Sequence, residues 1–166
     1  KMKIFIKTVL ITSLIFTSCS KENEEYNEEY LLYNFSENKQ LNIETSDGSY
    51  MKYGNIQEGS NLVFEYKFLA EDAVNIADDE YSESIRFEIN PSLTEFNYEG
   101  SELSDIDAVF SKSCFCFFDY DSDKDVPPTG TISGEKISNT EWAISIDVTF
   151  YGDEHKRIIN KFRLKN

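Results

Sequence analysis

The chain predicts an all-β fold: an antiparallel β-sandwich of about eight to ten strands, with a closed, lipocalin-like β-barrel as the alternative. Three observations point there. From about residue 40, apolar and polar residues alternate in short runs separated by turn signals such as Asp47-Gly48, Asn90-Pro91 and Gly152-Asp153. No apolar pattern of helical period is sustained, and no internal repeat of fixed length suggests a propeller or solenoid. The run Trp142, Ile144, Ile146, Val148, Phe150 alternates with Ala143, Ser145, Asp147 and Thr149, which gives one strand a core face and an outer face.

Taken in order, Leu41–Glu44 and Tyr50–Tyr53 flank Ser46-Asp47-Gly48 and predict a hairpin. Gly59-Ser60 introduces a further strand, Leu62–Phe68, with Leu62, Phe64, Tyr66 and Phe68 on one face. Residues 70–80 form an acidic connection. Ser84–Ile89 alternates again and stops at Asn90-Pro91, because proline cannot donate to a strand ladder. Leu93, Phe96 and Tyr98 follow, and residues 101–107 fit either a helical turn or a strand. Cys114-Phe115-Cys116-Phe117-Phe118 is the densest apolar stretch and predicts a central strand covered on both faces. Thr129–Ile137, Trp142–Phe150 and Lys156–Leu164, joined by short turns, predict an antiparallel meander.

The segment before residue 40 is of another kind. Lys1, Lys3 and Lys7 precede an uncharged, mostly apolar run, Thr8–Phe16, that ends in Thr17-Ser18-Cys19. A basic region followed by an apolar core too short to cross a bilayer is the layout of a cleaved export signal. Phe16-Thr17-Ser18-Cys19 resembles the lipobox of bacterial lipoproteins. That resemblance implies that Cys19 is diacylated on sulfur and becomes the new N-terminus. The following Ser20-Lys21-Glu22-Asn23-Glu24-Glu25 resembles the signal that sends Bacteroidetes-type lipoproteins to the outer face of the outer membrane. On these resemblances residues 1–18 are a signal peptide, 19–39 the lipidated cysteine and acidic tether, and 40–166 a single β domain. The expected address is the cell surface, with the periplasmic face as the alternative. Tyr26, Tyr30 and Tyr33 recur at helical spacing near the end of the tether, which fits a short docking helix or simply the first segment to touch the core.

Charge narrows the partners. All 31 acidic residues lie beyond Cys19 and three of the 16 basic residues lie before it, so the mature chain sets 13 cations against 31 anions, a formal charge of −18. Such a surface repels phosphate, which excludes nucleic acid as a partner and leaves the membrane to be held through acyl chains. An envelope protein or a glycan remains as a partner class. A non-catalytic binding or structural module is the leading function. A carbohydrate-active enzyme using paired carboxylates and a lipocalin-like carrier of an apolar ligand are the alternatives.

Four features carry chemistry. Cys114 and Cys116 reach an oxidising compartment, which favours a disulfide, yet two residues along an extended strand hold Cα atoms about 6.6 Å apart. Pairing requires a bend at Phe115, and free buried thiols or a metal site are the other outcomes. Asp119, Asp121, Asp123 and Asp125 alternate with other residues in a loop of the kind that binds calcium weakly. The EF-hand pattern fails, with Lys124 where glycine belongs and Gly130 where glutamate belongs, so a solvated acidic loop is the competing reading. His155, the only histidine, stands beside Lys156 and Arg157 and makes a poor general base. Tyr50, Tyr53, Tyr98, Tyr120 and Tyr151 are surplus to the alternating core and fit either an exposed protein- or sugar-binding face or ordinary strand positions.

Overall fold

A computed structural model describes residues 30–71, 80–116 and 121–165. The Asp47-Gly48 turn closes a long hairpin between β1 (Tyr30–Thr45) and β2 (Lys52–Leu69), paired from Thr45 opposite Lys52 to Tyr30 opposite Leu69. Gly48 takes a φ of +69°, and Ser46 N–H donates to Met51 O at 2.9 Å. Gly59-Ser60 does not begin a new strand. β2 runs through it, and the register slips there so that Lys39 faces both Glu58 and Asn61. A Cβ at Gly59 would lie 2.6 Å from Gln40 Cβ, so this bulge requires glycine. β1 also takes in residues 30–39, which the sequence joins to the tether. Two-residue alternation prevails over helical spacing here, because Tyr33 and Phe35 reach the core from one face of the strand.

β3 (Tyr81–Ile89) pairs with β2 on one side and β5 (Val109–Cys114) on the other. β4 (Glu95–Glu99) leads into a 3₁₀ helix, Gly100–Ser104, capped by reciprocal bonds between Glu99 and Glu102. β6 (Thr129–Ser138), β7 (Glu141–Phe150) and β8 (Glu154–Leu164) form the expected meander. The sheet order is β4-β6-β7-β8-β1-β2-β3-β5. Every pairing is antiparallel except β1 with β8, a parallel seam of two residue pairs, Asn34 with Arg163 and Phe35 with Leu164.

β4 and β5 end the sheet without pairing, so the fold is all-β and sandwich-like and the barrel does not close. The sheet doubles over instead, and the β4-β6-β7-β8 half faces the β1-β2-β3-β5 half. Aromatic rings fill the space between. Phe64 of β2 meets Trp142 of β7 edge to face at 5.6 Å, and lies 5.9 Å from Phe162 of β8. Phe96 of β4 lies 6.0 Å from Phe87 of β3, and Phe110 of β5 stacks on Phe150 of β7 at 5.7 Å. The Cys114–Phe118 stretch is not the central strand its composition suggests. β5 has β3 as its one neighbour in the sheet and ends at Cys114, and Phe115 is 80% exposed. Phe117 and Phe118 lie outside the described residues.

Trp142 is fully buried at the centre of this layer, and its Nε1 has no hydrogen-bond partner among the described residues. Its contribution is therefore packing and apolar area. Trp142→Ala should lower the unfolding free energy by about 3–5 kcal/mol in a urea titration. Ala143→Ser, on the opposite face of the same strand, should stay within about 0.5 kcal/mol of wild type.

Candidate functional site

Alternation that buries one face of β4, β6, β7 and β8 presents the other as a lattice of matched positions. Glu95, Glu135, Ala143 and Lys161 form one row across the strands, and Asn97, Ser133, Ser145 and Ile159 the next. A third row runs Glu99, Thr131, Asp147 and Arg157. In the first two rows Ser133, Ala143 and Ser145 on the middle strands are small, while Glu135 and the flanking positions are longer. The result is an open groove of about 900 Å³ floored by Ser133, Ala143 and Ser145. Gly134, next to Ser133 in β6, leaves room on the inner face, because a Cβ there would lie 2.6 Å from both Ile144 Cδ1 and Phe96.

Charge is divided across this face. On the β8 side, Lys161 Nζ bonds Glu141 Oε1 at 2.9 Å, and His155 Nε2 lies 2.8 Å from Asp147 Oδ1. Arg157 stands 3.8 Å from the other oxygen of Asp147. On the β4 side, Glu95 and Glu135 sit directly opposite one another, and no cation pairs with either among the described residues. Ile159, 73% exposed, adds an apolar wall beside the polar floor. The groove thus offers hydroxyls, an amide from Asn97 and unpaired carboxylates on a rigid sheet, a set suited to binding a hydroxyl-rich or basic chain.

The residues singled out from sequence are placed elsewhere. Cys19, Ser20, Lys21, Glu22, Glu24 and Glu25 lie outside the described residues, as do Asp119 and Tyr120. Asp121 stands 3.9 Å from Lys124 and accepts a bond from the Asp123 N–H at 3.1 Å, and Asp125 pairs with Lys52. Among the described residues no three metal-ligating side chains are grouped to hold an ion. Cys114 and Cys116 form a disulfide with Cα atoms 5.1 Å apart, and the chain bends at Phe115 between them. His155 pairs with Asp147 across two strands rather than standing free among cations. The surplus tyrosines are not an exposed face: Tyr151 is buried, and Tyr50, Tyr53 and Tyr98 pack half-buried against the core. Each belongs to a strand or turn whose inner face reaches the aromatic layer.

Glu95, Ser133 and Ser145 were not singled out from sequence as site residues. Small polar residues at the outward positions of β6 and β7 were the available signal, but strand register decides which of them meet. Like charges directly opposite on adjacent strands oppose folding. Glu135→Gln should therefore raise stability by about 0.2–1 kcal/mol at low salt, with the gain shrinking as salt is added, measured by urea unfolding. No protein-family model, curated protein or solved structure matches this chain.

Proposed function

We propose that the protein is a lipid-anchored envelope lipoprotein whose β4-β6-β7-β8 face binds a glycan chain without cleaving it. The observation that carries the binding role is the groove: an open trough with a floor of small side chains, hydrogen-bonding groups in register and an exposed isoleucine at its rim. Sugar hydroxyls match serine, asparagine and carboxylate partners, and the apolar face of a pyranose matches Ile159. The formal charge of −18 that the chain carries once residues 1–18 are removed directs selection toward neutral or amino-substituted glycans and away from phosphorylated ones. Anchoring rests on Cys19, where more than one acyl chain, each contributing about 0.8 kcal/mol per buried CH₂, holds the domain at the membrane. The tether of residues 20–29 reaches at most about 35 Å, so the groove works close to the envelope surface.

One observation favours a second reading. Glu95 and Glu135 are cross-strand neighbours, with Cβ atoms about 5 Å apart by strand geometry, so their two carboxyl groups share one part of the groove, as the paired carboxylates of a glycoside hydrolase must. The two readings differ in product. Affinity electrophoresis through neutral and amino-substituted polysaccharides should retard the protein, and Ser145→Trp, which fills the floor, should weaken retardation at least about tenfold without lowering the urea midpoint. Equal retardation of wild type and Ser145→Trp contradicts the groove as the site. New reducing ends that vanish in Glu135→Gln support hydrolysis instead. Cys19→Ser should move the protein from the membrane to the soluble fraction and abolish palmitate labelling, and continued membrane association contradicts the anchor.

A further inference from the structure

A second cavity, of about 320 Å³, lies at the turn end of the β1–β2 hairpin, between Ile43, Val109 at the start of β5, the loop containing Val126, and Tyr151. It shares no residue with the sheet groove. Its walls are mostly apolar, and its polar groups are few. Lys52 is already neutralised: its Nζ pairs with Asp125 and sits 5.1 Å from the centroid of the Tyr151 ring. Asp107 is different. It adopts a left-handed backbone, φ +51°, and its carboxylate has no hydrogen-bond or ion-pair partner among the described residues. Burial first, and then the charge of Glu88, push its carboxyl above the ordinary carboxylate range. Glu88 itself is held by the Leu41 N–H at 2.6 Å and Asn61 Nδ2 at 2.8 Å, so it cannot turn away.

A residue in an uncommon backbone conformation, with a half-buried carboxylate that has no partner among the described residues, breaks two local rules in one place. With one lysine against two aspartates in its lining and Glu88 nearby, the cavity is negative around an apolar wall. We propose that it binds a small organic cation, an ammonium or guanidinium on a short apolar stem, with the charged head at Asp107 and the stem along Ile43, Val109 and Val126. A charge-assisted bond to Asp107 supplies the preference for a cation, and a wall of aliphatic groups supplies the affinity for the stem.

Hexylammonium, 1-hexanol and hexanoate, titrated into the purified protein at about physiological ionic strength and followed through backbone amide shifts, separate charge from stem. Hexylammonium should saturate shifts at Asp107 and Val126 and bind at least about tenfold tighter than hexanol, while hexanoate should not bind. Asp107→Asn should reduce hexylammonium to the affinity of hexanol, whereas Glu58→Gln, a carboxylate lost on the distant hairpin bulge, should leave it unchanged. Asparagine tolerates the left-handed backbone, so the variant keeps the fold. An acid whose folded-state pKa is raised favours the native state at low pH and loses that contribution as pH rises. Asp107→Asn should therefore match or exceed the wild-type melting temperature at neutral pH and lose any advantage in acid. Equal affinities for hexylammonium and hexanol, undiminished binding in Asp107→Asn, or shifts confined to the sheet groove would overturn the proposal.

Discussion

Two half-sheets joined along the ladder by only two parallel residue pairs must be held together mainly by what lies between them. That filling is the aromatic layer centred on Phe64, whose ring touches Phe35 and Phe87 within its own half and Trp142, Phe162 and Phe96 across the gap. Each ring pair contributes about 0.5–1.5 kcal/mol beyond the area it buries, so several contacts on one side chain outweigh two backbone pairs. Because β4 and β5 do not pair with each other, packing sets how far the sheet curls. Both free edges are protected: β4 is five residues long with glutamate at each end, and β5 ends in a disulfide bend.

Where the aromatic layer gives out, charges take over in matched sets. Inward positions of β8 carry Glu154 and Lys156, and Lys156 meets Glu83 of β3 at 2.6 Å while its Nζ lies 4.8 Å from the Phe110 centroid. Glu154 pairs with Lys112 of β5, and Tyr81 donates to Glu83 at 3.0 Å. On the outer face of the other half, Arg86 bonds Glu65 through Nε at 2.9 Å and Gly54 O through Nη1 at 2.7 Å. Losing one partner from such a set leaves a poorly solvated charge, so these groups fix strand register while contributing little net stability. The carboxylates of Glu95, Glu135 and Asp107 stand outside these sets, in the groove or in the hairpin cavity.

The strand class and the last three strands were legible because period-two alternation and short polar turns act locally: Trp142 to Phe150 faces inward residue by residue as its pattern requires. The hairpin turn at Asp47-Gly48 was legible for the same reason. What escaped depends on contacts between distant segments. Gly59 reads as a boundary until Gln40 is placed beside it, and Cys114–Phe118 reads as interior until β5 takes an edge. The surplus tyrosines read as exposed because no local rule shows that the turn at Tyr151 folds inward. The groove was illegible because it is a product of register among four strands, and Asp107 because a left-handed aspartate leaves no trace in its neighbours.

Function follows from the same division of labour. An aromatic interior that binds the halves together leaves the outer face of β4-β6-β7-β8 free to carry the small polar residues on which the proposed recognition rests. A double-mutant cycle on Phe64→Leu and Trp142→Phe, read by urea unfolding with far-ultraviolet circular dichroism, tests the interlayer contact directly. A coupling energy of about 0.5–1.5 kcal/mol is the expected result. Single-mutant effects that add to within about 0.3 kcal/mol would contradict the claim that the two half-sheets are held by this aromatic contact.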